Sequence, residues 1–167
     1  LSRGLGDVYK RQEIFFPHSI DSRGRIYSIP TILQPQGDDI AKSLLEFSKG
    51  YKLTAGGLIQ LKIQIASKFG LDKASRDERL QWFENNEGLV LDIGTRPLDM
   101  LDTIADTDKP FQFVAACMDY ASWKIDPDAP IHARVNKDGA CNGLQHFAAM
   151  LSDCLLYTSP SPRDKRQ

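Results

Sequence analysis

The sequence has little cysteine, no long apolar run and almost no net charge. It holds three cysteines, Cys117, Cys141 and Cys154, an odd number without paired spacing. That argues against a disulfide framework and suits a reducing compartment. No apolar stretch is long enough to span a membrane, and no signal-peptide pattern is visible. Net charge is −1, so the chain as a whole is not a basic nucleic-acid binder. Any such contact must come from local Arg and Lys clusters. Internal repeats are also lacking. The expectation is a soluble, cytoplasmic protein without a membrane partner. Its 167 residues, 41% of them hydrophobic, are enough for one domain-sized core.

Most of the chain reads as helix. Asp38 or Asp39 can cap a helix carrying Ile40, Leu44 and Phe47, ending at Gly50, after a turn at Pro35-Gln36-Gly37. Residues 54–70 fit either period, but length and the closing Gly70 favour helix. Ser75 and Glu78 form a capping-box pattern, and Asn85-Asn86 breaks that helix. Thr95 can cap a further one carrying Leu98, Leu101 and Ile104, with Pro97 in its first turn. Between Leu71 and Asp108 ten acids face four bases, so this block should turn away from phosphates. The helix of residues 108–123 has Phe111, Val114, Ala115 and Met118 on one face. Phe113, Cys117 and Tyr120 make it apolar nearly all round, which implies burial. Its aromatics are expected to pack in the core rather than stack on bases.

Strand signals are few. Arg25 to Ser28 reads as a short strand before Pro30. Arg23 and Arg25 lie two apart, so on extended backbone they point the same way. With Gly24 between them they suit a phosphate backbone; the alternative is ion pairing to neighbours such as Asp21 or Glu46. Lys42 is a weaker nucleic-acid candidate, since a solvated lysine on a helix is commonplace.

The stretch from Ile131 to Leu151 organises the rest. Ile131, Ala133 and Val135 alternate with His132, Arg134 and Asn136, as in a half-buried strand. Asp138-Gly139 ends it, and Asn142 can cap a helix whose Leu144, Phe147, Ala148 and Leu151 share one face. Asp138 thus belongs at a strand-to-helix joint, where a carboxylate can hold a hard cation such as magnesium. Spacing alone equally describes an ordinary Asp-Gly turn, which is the commoner meaning of that pair. Cys141 and His146, with Cys117, could be zinc ligands, or the first two a nucleophile pair. Without a C-x-x-C pair or an orienting partner, a small buried cysteine and a hydrogen-bonded histidine are the simpler reading.

DGACNGLQHFAAML, from Asp138, closely resembles the first catalytic-aspartate motif of single-subunit, bacteriophage-type DNA-directed RNA polymerases. DSRGRIY at Asp21 to Tyr27 resembles that family's Arg-Gly-Arg motif. PQGDDIAKSLLEFSKG and PFQFVAACMDY lie between them in family order. The likeness covers about Phe15 to Asp153. Polar residues from Arg134 to Lys137 stand where the family strand is more apolar.

The resemblance implies a partial polymerase palm, α+β and mostly helical, with a small antiparallel sheet and a helical insertion. It divides the chain into a palm segment at 13–50, the insertion at 51–128 and a palm strand-turn-helix at 129–153. Residues 1–12 and 154–167 share Lys-Arg-Gln, lack amphipathic periodicity and read as non-native, adapter-like ends. The implied chemistry is template-dependent ribonucleotide transfer by two Mg²⁺ ions. Asp138 would be a catalytic metal ligand and the Gly139 carbonyl a further one. Arg23 and Arg25 would lie near nucleic acid, in one cleft with Asp138. The partners would be a DNA template, nascent RNA and ribonucleoside triphosphates, and the full enzyme a monomer in an infected host cell or an organelle. A second aspartate, a lysine and a tyrosine are expected C-terminal to this motif, so the chain alone is expected to be inactive. The other readings are a non-catalytic nucleic-acid-binding module and an unrelated metal-dependent phosphodiesterase.

Overall fold

A computed structural model describes residues 14–135 and Met150. The expected turn and helix around Asp138, Gly139, Asn142 and Leu144 lie outside the described residues, as do Cys141, His146 and both expected non-native ends. The described part is mostly helical with one small antiparallel sheet, an α+β architecture.

Strands β1 (His18–Ile20) and β2 (Ile26–Ser28) form a hairpin in which Ser19 pairs with Tyr27. Gly24 makes its turn at φ +76°, a left-handed conformation that glycine adopts without a Cβ clash. Gln36 ties the hairpin to the next segment. Its amide accepts from the Ser28 N–H and donates to the Ile26 carbonyl, both at 3.0 Å.

Helix α1 (Asp39–Leu44) is capped by Asp38, whose carboxylate accepts from the Ala41 N–H at 2.9 Å. The helix stops at Leu44 and not at Gly50, because Leu45 turns extended. The Ile40, Leu44 and Phe47 stripe is exposed, and Ala41 and Ser43 face inward. Polar anchors described below hold that inner face, so the apolar spacing does not decide the packing.

Helix α2 (Ala55–Ala66) starts at the Thr54 cap and runs into a π-helical turn, Ser67–Leu71. Gly70 stands there at φ +138° and closes the segment, as its place in the sequence suggests. Helix α3 (Arg76–Asn85) opens on the expected Ser75/Glu78 capping box and ends at Asn86, where α4 (Glu87–Thr95) begins. Thr95 ends α4 and caps nothing after it: its hydroxyl donates back to the Leu91 carbonyl at 2.8 Å. A 3₁₀ turn (Pro97–Met100) leads to the short α5 (Leu101–Ala105). Leu98 and Leu101 are exposed there and only Ile104 is buried. A one-turn helix followed by a new start cannot keep one stripe in register.

Helix α6 (Pro110–Ile125) is the central element. Its buried side is Phe113, Ala116, Cys117 and Tyr120, and the expected Phe111 and Met118 are half exposed. Leu61 and Ile65 of α2, Phe83 of α3, Val90 and Ile93 of α4 and Ile104 of α5 complete the core. Phe83 meets Tyr120 edge-on at 4.9 Å, a favoured aromatic geometry. The aromatics of α6 are therefore core residues, as expected.

No residue near Lys109 caps α6, so its first amides need acceptors from elsewhere. Asp39 supplies them from α1, accepting from the Phe111 N–H at 2.8 Å and from the Gln112 side chain at 2.8 Å. One carboxylate thereby joins two helices over seventy residues apart in sequence. Helices α4 and α6 approach closely at Gly94. A Cβ there would overlap the Cys117 carbonyl oxygen, with Ala121 Cβ at 2.8 Å. Gly88, in the same helix, has open space around it.

Gly94→Ala should therefore destabilise the fold by about 1–3 kcal/mol, the usual cost of overpacking. Gly88→Ala should be neutral or slightly stabilising. Urea unfolding of the two variants beside the parent checks the pair.

Candidate functional site

The segment leading toward Asp138 returns to Tyr51, where the helical excursion of α2 to α6 begins. Tyr51 and Ile131 form an antiparallel bridge, with N–H donors at 3.1 and 3.0 Å from the opposite carbonyls. This single bridge is all the regular strand that the described residues between Ile131 and Val135 form. The expected alternation holds at Ile131, which is buried, and fails at Val135, which is 67% exposed. Side chains, not a sheet ladder, fix this segment.

Arg134 is the principal anchor. Its side chain is only 14% exposed. Nε donates to the Ser43 carbonyl at 2.6 Å, Nη1 to Asp119 at 3.2 Å and Nη2 to Glu46 at 2.5 Å. The Ser43 carbonyl is free for this because α1 ends at Leu44, leaving its last carbonyls without helical donors. Gln64 of α2 donates to the Arg134 carbonyl at 2.7 Å. His132 Nδ1 donates to the Phe47 carbonyl at 2.6 Å. Its ring lies over Gly50, where a Cβ would come within 2.7 Å of Cδ2.

Sequence alternation puts Arg134 on a polar outer face, and that placement is incorrect. The signal that could have located its partner is Asp119. It is an acid among the mostly apolar residues of α6, and an acid taken out of water needs a cation. Burial pushes the Asp119 carboxyl up to about 6, with Arg134 pulling the other way.

Arg23 lies in the β-hairpin turn, and Arg25 lies between that turn and β2, its carbonyl accepting from the Asp21 N–H at 2.9 Å. Asp21 organises that turn by accepting from the Arg23 and Arg25 N–H groups at 2.8 and 2.9 Å. These bonds, Arg25's amide first, hold its carboxyl below the usual range. Arg23 also pairs with Asp21 at 3.1 Å, on the surface. Glu46, the other acid considered for this arginine pair, is taken by Arg134. Among the described residues the Arg25 guanidinium has no hydrogen-bond or ion-pair partner. Lys42 is half-buried on α1. It adds, after burial and Lys109, to the forces that lower the Lys68 pKa, so three ammonium groups share that end of α6. Nine of the ten acids between Leu71 and Asp108 are exposed, and Glu87 is half-buried.

Asp138 and Gly139 lie outside the described residues. Among those described, no group of three or more His, Cys, Asp or Glu could hold a metal. Cys117 is wholly buried in the core and burial pushes its thiol up, which suits neither a zinc ligand nor a nucleophile. No helix among the described residues is long and apolar enough to cross a membrane.

A family model described as DNA-dependent RNA polymerase matches residues 51–156, well over half of the chain and including Asp138 and Gly139. The chain belongs to this RNA polymerase family. A probable DNA-directed RNA polymerase of Neurospora crassa is 39% identical over 145 residues, 87% of this chain and 16% of that protein. The mitochondrial DNA-directed RNA polymerase of Schizosaccharomyces pombe is 37% identical over 152 residues, 89% of this chain and 13% of that protein. The DNA-directed RNA polymerase of Enterobacteria phage K11 is 37% identical over 150 residues, 85% of this chain and 16% of that protein. The chain thus spans about a sixth or less of the length of the polymerases it resembles, phage and mitochondrial alike.

The raised Asp119 pKa has a stability consequence for this polymerase segment. Between its ordinary value of 3.8 and about 6, the folded state holds a proton that the unfolded chain has released. This group therefore favours folding most at the acid end of that window, and the contribution is lost as pH rises through about 6. Asp119→Asn removes the dependence while keeping an acceptor for Arg134. The variant should gain stability relative to the parent between pH 4.5 and pH 7.5. Urea titrations at the two pH values measure it, and an unchanged difference would contradict it.

Proposed function

We propose that this chain is the part of a DNA-directed RNA polymerase that supplies the first metal-holding aspartate of template-directed ribonucleotide transfer. The observation that carries the reading is the family match over 51–156, which contains the Asp138 motif whole. The fold supports it. Residues 131–135 return onto residues 43–51, which follow the Arg23/Arg25 hairpin in the chain after the turn at Gln36 and α1.

The donor chemistry fits magnesium. A carboxylate from Asp138 and a carbonyl from Gly139 are hard oxygen ligands, and Mg²⁺ takes one or two carboxylates beside substrate phosphates and waters. When bound, the metal pair activates the attacking 3′ hydroxyl and offsets charge on the departing pyrophosphate. The remaining protein ligand would come from another part of the polymerase, so the chain alone should not polymerise. The whole enzyme would act as a monomer on a DNA template, a growing RNA and ribonucleoside triphosphates.

Arg25 is the described residue best suited to a phosphate, being exposed and without a protein partner. Arg23 would exchange a weak surface pair with Asp21 for a phosphate. The ammonium group of Lys42 would add long-range attraction to the backbone. The acidic surface of the helical excursion would face away from nucleic acid.

In the polymerase that contains this segment, Asp138→Asn should lower nucleotide incorporation by at least about a hundredfold, as expected for loss of a transition-state group. Binding of a DNA–RNA hybrid should persist. Arg25→Ala should weaken hybrid binding and reduce its salt dependence by about one unit of log–log slope. Single-nucleotide incorporation and fluorescence anisotropy at several salt concentrations measure both. Full activity in Asp138→Asn would refute the reading.

A further inference from the structure

The five residues before Asn136 carry an unusual density of polar tethers. Ile131 bridges Tyr51 through two backbone bonds. His132 binds the Phe47 carbonyl, Gln64 binds the Arg134 carbonyl, and the Arg134 side chain reaches Ser43, Glu46 and Asp119. These partners sit on α1 and the stretch after it, on α2 and on α6. Val135 then points into solvent, and no described bond holds it. Arg134 is therefore the last described tether before Asp138, four residues away. Four residues reach at most about 14 Å. Whatever fixes Arg134 sets the point from which the chain enters the Asp138 motif.

We propose that Arg134 is a positioning residue for Asp138, acting through its clamp on Ser43, Glu46 and Asp119. The inference rests on the reading of Asp138 as a metal-holding aspartate. Its physical basis is that a fork of donors meeting three acceptors fixes orientation as well as distance. A lysine cannot reproduce this, since it offers one point of charge. Where an apolar strand would be held by burial, this chain holds the approach to its carboxylate with a directed ion cluster. Displacing a metal-holding carboxylate slightly costs rate and metal affinity more than it costs substrate binding.

The test uses the full-length polymerase that contains this segment, carrying Arg134→Lys, Arg134→Met, Asp119→Asn or Asp138→Asn. Single-nucleotide incorporation is measured against Mg²⁺ and against nucleotide concentration. Rates are expressed per active molecule, counted by titration with a DNA–RNA hybrid. Arg134→Met should lower kcat at least about tenfold, the scale seen when the support of a metal ligand is removed, and should raise the half-saturating Mg²⁺ concentration. KM for the nucleotide should stay within about twofold, the change expected when transition-state interactions alone are lost. Arg134→Lys should recover part of the loss, and Asp119→Asn should shift Mg²⁺ dependence in the same direction. A purely structural role would reduce the active count and leave kcat and Mg²⁺ dependence per active molecule unchanged, and that result overturns the proposal. If Arg134→Met does not fold, Arg134→Lys and Asp119→Asn decide by the same readout. An active Asp138→Asn would remove the site reading itself. An inactive Asp138→Asn beside unaltered Arg134→Lys and Asp119→Asn would overturn this inference alone.

Discussion

An arginine side chain that is 14% exposed must find acceptors, and Arg134 finds them on two separate stretches of chain. Removing a charge from water costs several kcal/mol unless it is paired and hydrogen-bonded. The three acceptors therefore constrain one another's positions. Asp119 must lie on the inner side of α6, Glu46 must leave the helical path after Leu44, and the Ser43 carbonyl must stay uncovered. The early end of α1 is a consequence of this constraint as much as of local propensity.

The same logic runs through the rest of the described chain. Its segments far apart in sequence are joined by polar side chains reaching backbone groups that helix ends and hairpin edges leave open. Gln36 joins the hairpin to the approach of α1. Asp39 joins α1 to the start of α6. Arg134 and His132 join the end of the excursion to its beginning. The apolar core lies almost wholly within the excursion, from Leu61 to Tyr120. The hairpin and α1 contribute few residues to it and leave Ile20, Ile26, Ile40 and Leu44 exposed. Directed polar tethers hold these segments because there is little apolar contact to do so.

Such an arrangement fixes direction as well as distance. Apolar packing tolerates small shifts, because dispersion forces are spread over many atoms. A fork of hydrogen bonds loses strength within a few tenths of an ångström and over modest angles. Using such bonds at His132 and Arg134 limits how far the chain can drift at those residues. The core meanwhile gives α6, which carries Asp119, a rigid base.

Local signals in the sequence sufficed for much of this. The Ser75/Glu78 capping box, the cap at Asp38, the break at Asn85-Asn86 and the closing Gly70 all act within four residues, and so can be read without a fold. Motif order sufficed for the polymerase family, since the Arg-Gly-Arg and Asp-Gly patterns are themselves sequence properties. The tertiary structure decided which helical face is buried, because α1 and α6 carry apolar residues on more than one side and only their neighbours choose between them. It also turned Arg134 from a residue on an outward strand face into a buried anchor. Its partners lie 15 to 91 positions away, and no periodicity records a charge pairing across that distance.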